Sequence, residues 1–112
     1  MEKIRIGIVN YLNTKPLLYG IERSGILERA ELVPDYPSRV AEQLLEGSID
    51  VGLVPVAIIP KLPEAHLVTN YCIGCDGPVA SVAIFSSQPL AEVRRLLLDY
   101  QSRTSVALAR IL

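Results

Sequence analysis

Three short polar stretches carry side chains suited to holding a small anion: Asn13-Thr14, Ser38-Arg39 and Ser102-Arg103-Thr104-Ser105. Each sits where the pattern turns into a helix, which sets a hydroxyl or amide beside the unpaired N–H groups of a helix start. Such a terminus carries about half a positive charge and receives carboxylate or phosphate readily. Two of the three also offer an arginine. Together they suit a di-anion held between elements. The same residue types also serve plain structure. Ser38 and Thr104 are good helix caps, Asn13 can satisfy a turn backbone, and Arg39 and Arg103 can simply be solvated.

Other chemistry has little to work with. There is no G-x-G-x-x-G or G-x-x-x-x-G-K-[ST] loop for a nucleotide and no G-x-S-x-G elbow. With His66 the only histidine and no carboxylate pair in view, a triad or two-carboxylate mechanism lacks parts. Catalysis here would rest on positioning and hydrogen bonding. Cys72 and Cys75 form a single C-x-x-C. Two ligands fall short of the four that structural zinc takes, and the pair lies in a strand-then-turn pattern rather than at a helix start. They read as ordinary buried thiols, and no metal site is expected.

The elements that position these groups alternate. Residues 4–9 (Ile-Arg-Ile-Gly-Ile-Val) form an apolar, β-branched run fit for a strand buried on both faces. Thr14 and Pro16 open a helix whose apolar side is Leu17, Leu18 and Ile21, closed by Gly25. Residues 31–34 make a short strand. Ser38 then starts a helix with Val40, Ala41, Leu44 and Leu45 on one face, and Gly47 ends it. Residues 49–54 are the next buried strand, stopped by Pro55. This β-α-β-α-β order predicts a parallel sheet. Beyond a short apolar turn at 56–62, strands are expected at 66–70, 72–74, 79–87 and 95–99, with a helical turn at 90–93. A last helix follows Ser102–Ser105 and meets no stop signal before Leu112.

Composition bounds the rest. The chain has 112 residues, 50% hydrophobic and 21% charged with a net charge of −1, which is globular and gives nucleic acid no basic surface. No apolar run approaches the roughly 18 residues of a membrane span, and no leader with a cleavage site is visible, so a cytoplasmic location is expected. The unclosed last helix leads us to expect an incomplete architecture.

Several segments, in order, resemble one family. They are Arg5-Ile6-Gly7 through Tyr11-Leu12-Asn13-Thr14-Lys15-Pro16-Leu17, Pro37-Ser38-Arg39, Asp50-Val51-Gly52-Leu53-Val54-Pro55, Gly77-Pro78-Val79-Ala80-Ser81-Val82 and Ser102-Arg103-Thr104-Ser105-Val106-Ala107-Leu108. They resemble the chorismate dehydratases of menaquinone biosynthesis (futalosine pathway). The resemblance implies an α/β chain of type 2 periplasmic-binding-protein fold, two lobes with a cleft between them. Residues 1–86 would belong to lobe one, and 87–112 would be the crossover and the beginning of lobe two. It implies the loss of water from chorismate, a dicarboxylate, to give 3-[(1-carboxyvinyl)oxy]benzoate, with no metal or organic cofactor. Asn13 matches the cleft asparagine that would hydrogen-bond the departing hydroxyl. Ser38 would hold one carboxylate, Thr104 and Ser105 the other, and Ser86 ends the strand that crosses toward lobe two.

Family members are well over twice this length, so the chain is expected to be an N-terminal portion whose exposed apolar faces favour self-association. Two other classes fit the same fold: a binding protein that holds a carboxylate without consuming it, and a non-catalytic relative kept as a structural module.

Overall fold

A computed structural model describes residues Met1–Leu112. A three-stranded parallel sheet, in the order β2-β1-β3, organises the first half. The central strand β1 (Ile4–Val9) is the apolar run read from the sequence. It pairs along its whole length with β2 (Ala30–Asp35), Ile4 opposite Ala30 and Val9 opposite Asp35. On its other side it pairs with β3 (Val51–Gly52), Ile6 opposite Val51. The parallel α/β arrangement is therefore as expected. β3 is shorter than the 49–54 run, although its flanks still bond to β1, Asp50 N–H to Arg5 O and Leu53 N–H to Gly7 O.

Helix α1 (Lys15–Arg23) links β1 to β2, with Pro16 in its first turn. A 3₁₀ turn at Leu12–Thr14 runs straight into it, so Thr14 already has helical backbone angles and its side chain makes no capping bond. Thr14 thus opens the helix by its backbone and not as a side-chain cap. Helix α2 (Pro37–Glu46) links β2 to β3 and lays Val40 and Ala41 on the sheet. Here too the expected cap is displaced: the capping position falls to Tyr36, Pro37 opens the helix, and the Ser38 hydroxyl is bonded elsewhere. Gly47 closes α2 at φ +72°, a left-handed conformation that a Cβ would strain, while Ser48 N–H returns to Gln43 O.

Val9, Val40 and Ile49 form the core, with Val33, Leu44, Leu53 and Val54 packed around them. Gly7 is needed where α2 crosses β1. A Cβ there would lie 2.8 Å from Val40 Cγ1 and closer still to Ile49 Cδ1.

The second half is different. The strands expected at 66–70, 72–74, 79–87 and 95–99 do not form; only 3₁₀ turns at Val56–Lys61 and Leu90–Glu92 and the short helix α3 (Thr104–Ala109) appear. Every residue from 63 to 98 except Val93 is exposed. An apolar run becomes a strand only when a neighbouring edge takes its N–H and C=O groups, and residues 63–98 bond only to near neighbours in sequence. Cys72 and Cys75 lie in this stretch and are both exposed and free, which corrects the reading of them as buried thiols. The radius of gyration is 16.5 Å, against about 13 Å for a compact domain of this length. No helix is long and apolar enough to cross a membrane.

Candidate functional site

The carboxyl ends of β1 and β2 face the start of α2, and residues 99–105 return across the chain to dock there. Ser38, 3% exposed, is the centre of the contact. Its hydroxyl donates to Tyr100 O at 2.7 Å and its N–H donates to Gln101 O at 3.0 Å. These two carbonyls occupy the place at the helix start where an anion's oxygens would sit. The Tyr36 and Tyr100 rings meet edge to face at 5.7 Å. Tyr11 O–H donates to Gln101 Oε1, and Gln101 Nε2 donates to the Tyr100 hydroxyl at 3.0 Å. Desolvation, then the neighbouring Asp99 and Tyr100, push the Tyr11 phenol above its usual pKa, so it remains a donor.

Charge fastens the same contact. Arg103 Nη2 donates to Glu42 Oε1 at 2.6 Å, while Arg39 Nη1 donates to Glu42 Oε2 at 3.1 Å. One carboxylate on α2 thus joins the two arginines of the polar stretches. The Glu42 hydrogen bond raises the pKa of Arg39 further. Ala57 N–H donates to Thr104 Oγ1 at 3.3 Å, tying the start of α3 to the 3₁₀ turn after β3.

The structure brings Ser38 together with the segment that carries Thr104 and Ser105; Asn13 lies two residues from Tyr11, whose hydroxyl reaches Gln101 of that segment. Asn13 sits exposed in the turn at the carboxyl end of β1, with no hydrogen bond to its side chain. The turn-satisfying role is thus not the one it plays, and its amide stays available. Thr14 beside it is 2% exposed, and its hydroxyl has no partner. Ser38 spends both its donors on the docked backbone. Thr104 accepts one bond and keeps its hydroxyl hydrogen; Ser105 is half-buried next to it.

Ser86 lies apart. Its hydroxyl accepts from Gln88 N–H at 3.1 Å, in an open depression of about 540 Å³ lined by residues 85–88 and 92–95, none of them from the docked contact.

Residues that the sequence did not single out complete the contact: Tyr11, Tyr36, Tyr100 and Gln101, with Glu42 between the arginines. The readable signal for the last was an acidic residue on the helix of one arginine-bearing stretch. Its partner, 61 residues on, was not readable.

At the opposite end of the sheet, Arg5 and Asp50 form a second ion pair. Arg5 Nη2 meets Asp50 Oδ1 at 2.9 Å, and Arg5 N–H donates to Asp50 Oδ2 at 2.8 Å. These bonds lower the Asp50 pKa to about 2.

Comparison with known proteins adds a family to this geometry. A family described as menaquinone biosynthesis matches residues 4–112. A curated chorismate dehydratase of Thermus thermophilus is 28% identical over 108 residues, which is 96% of this chain and 38% of that protein.

Proposed function

The chain belongs to this menaquinone-biosynthesis family, and from that premise we propose that it serves the dehydration of chorismate to 3-[(1-carboxyvinyl)oxy]benzoate. In that reaction a ring C–H and the neighbouring ring C–OH bond break, a ring double bond forms, and the hydroxide leaves with the proton as water. Aromatisation supplies the driving force, so the protein's task is to hold two carboxylates and ease the departure of the hydroxyl.

The observation that carries the proposal is the convergence of the docked contact. A free amide (Asn13), a helix start holding two carboxylate-like carbonyls (Ser38 with Tyr100 and Gln101) and a hydroxyl with an uncommitted hydrogen (Thr104) lie around the carboxyl end of a parallel sheet. That is where ligands bind in open α/β folds. In this reading Asn13 donates to the leaving hydroxyl. One substrate carboxylate replaces the Tyr100 and Gln101 carbonyls on Ser38 and the other bonds the hydroxyls of Thr104 and Ser105, while Ser86, in its separate depression, stays outside this set. A carboxylate of the substrate itself takes the proton. The reading also takes a type 2 periplasmic-binding-protein architecture, a cytoplasmic location and no cofactor.

Chorismate consumption with formation of the aromatic product tests this directly. Asn13→Ala is expected to lower turnover by about 100-fold, the scale on which a single transition-state donor acts. Normal turnover in that variant would remove Asn13 from the mechanism. A second reading rests on the donors that the docked contact offers a carboxylate: a carboxylate-binding protein of the same fold, which chorismate bound and released unchanged would identify.

A further inference from the structure

Resting on that reading, we propose that Glu42 is a positioning residue: acting through Arg103, it sets segment 99–105, and with it the hydroxyls of Thr104 and Ser105, against the helix start that carries Ser38. Glu42 sits in the middle of α2 and its carboxylate spans two guanidiniums, Arg39 one turn before it and Arg103 from the far end of the chain. Between the two halves of this clasp, residues 63–98 make hydrogen bonds only to near neighbours in sequence, such as Thr69 with Tyr71, Ser86 with Gln88 and Glu92 with Pro89. Nothing in that stretch dictates where residue 99 emerges, so the docked position is set by the contacts at its end.

Those contacts differ in kind. Ser38, Tyr11 and Ala57 use neutral hydrogen bonds, and two of these three are the ones a bound carboxylate would exchange or border. Glu42–Arg103 is the charge-assisted bond and the shorter of the carboxylate's two. Charge-assisted bonds are the stronger class, and their geometry is directional. The clasp can therefore hold the segment in place while the Ser38 donors change partners. Both side chains are about two-fifths exposed, so removing them leaves the core of Val9, Val40 and Ile49 intact.

The test is a double-mutant cycle on the full 112-residue chain with Glu42→Gln, Arg103→Gln and the pair, read by amide hydrogen exchange. Exchange of the Ser38 and Ala57 amides, which donate to the docked segment, is expected to rise about tenfold in each single variant and no further in the double, while β1 amides keep their wild-type rates. Additive effects, or singles indistinguishable from wild type, overturn the clasp. Arg103→Lys, which keeps a cation on Glu42, is expected to recover most of the protection. Chorismate affinity is the second readout, and Glu42→Gln is expected to weaken it about tenfold. Coupled exchange with unchanged affinity would reduce the pair to a structural tie and overturn the positioning role. A wild-type chain without chorismate affinity would remove the proposed function, and with it the positioning role, while the exchange cycle alone would decide whether the clasp exists.

Discussion

Residues 1–58 and residues 63–98 have similar apolar character and opposite fates. In the first stretch every strand has an edge to bond and a helix to cover it, and all ten buried residues of the chain fall between Gly7 and Ile58. In the second, Val-Ala-Ser-Val-Ala-Ile-Phe at 79–85 has as strong a strand composition as β1, yet Phe85 is 88% exposed. The difference lies in partners rather than in propensity. β1 is flanked by β2 and β3 within about fifty residues of chain, and α2 crosses over it. The later runs pair with no strand, although β2 and β3 leave their outer edges unpaired. Strand propensity is a preference for a pleated, half-buried surface, and it cannot supply the surface.

The largest test of this contrast is in β1. Gly7→Val would push a branched side chain into Val40 and Ile49, the two residues that join α2 to the sheet. Overpacking of this kind costs about 3 kcal/mol. It would appear as a lower urea midpoint with an unchanged slope. A change under about 0.5 kcal/mol would mean that α2 does not press on Gly7, and the packed half would lose its distinction.

How much was legible follows the same division. β1, α1, β2 and α2 were readable because their signals are local: β-branched runs, Pro16 at a helix start, the apolar spacing of Val40, Ala41, Leu44 and Leu45, Gly47 at a helix end. The parallel order followed from their alternation. Asn13, Ser38 and Thr104 were readable as polar groups at element ends. Their local roles were less legible. Ser38 looks like a cap because capping is a near-neighbour habit, whereas its actual acceptor, Tyr100 O, lies 62 residues away. Glu42 with Arg103 and Tyr11 with Gln101 are hidden for the same reason. The strands after residue 62 were misread because periodicity reports burial only when something is there to bury against.

A smaller effect is expected at the other end of the sheet, from pH. The Asp50 carboxyl titrates near 2 in the folded chain instead of 3.8, chiefly because the Arg5 side chain and backbone bond its charged form. A depressed carboxyl contributes its stabilisation above the unfolded value, and that contribution fades as pH falls from about 4 to about 2. Asp50→Asn should therefore show a flatter loss of stability across that window than the wild type, at low salt, by thermal or urea unfolding at stepped pH. Identical acid profiles for the two would show that the Arg5 pair does not fasten β1 to the turn before β3.

The smallest effect belongs to the open half and bears most directly on the comparison. Phe85→Ala in a packed core would cost about 3–5 kcal/mol through lost burial and the cavity left behind. At 88% exposure there is almost no burial to lose and no cavity to create. The expected change in dilute solution is under about 0.5 kcal/mol, as for an ordinary surface site. Concentration sharpens the point. Leu67, Tyr71, Val82, Phe85, Leu97 and their neighbours make an exposed apolar stretch of the kind that draws chains together. If it does so here, sedimentation at rising concentration should show association in the wild type that Phe85→Ala weakens while the dilute stability stays level. A dilute-solution loss of several kcal/mol would instead place Phe85 in a formed core, and the two halves would then differ in degree only.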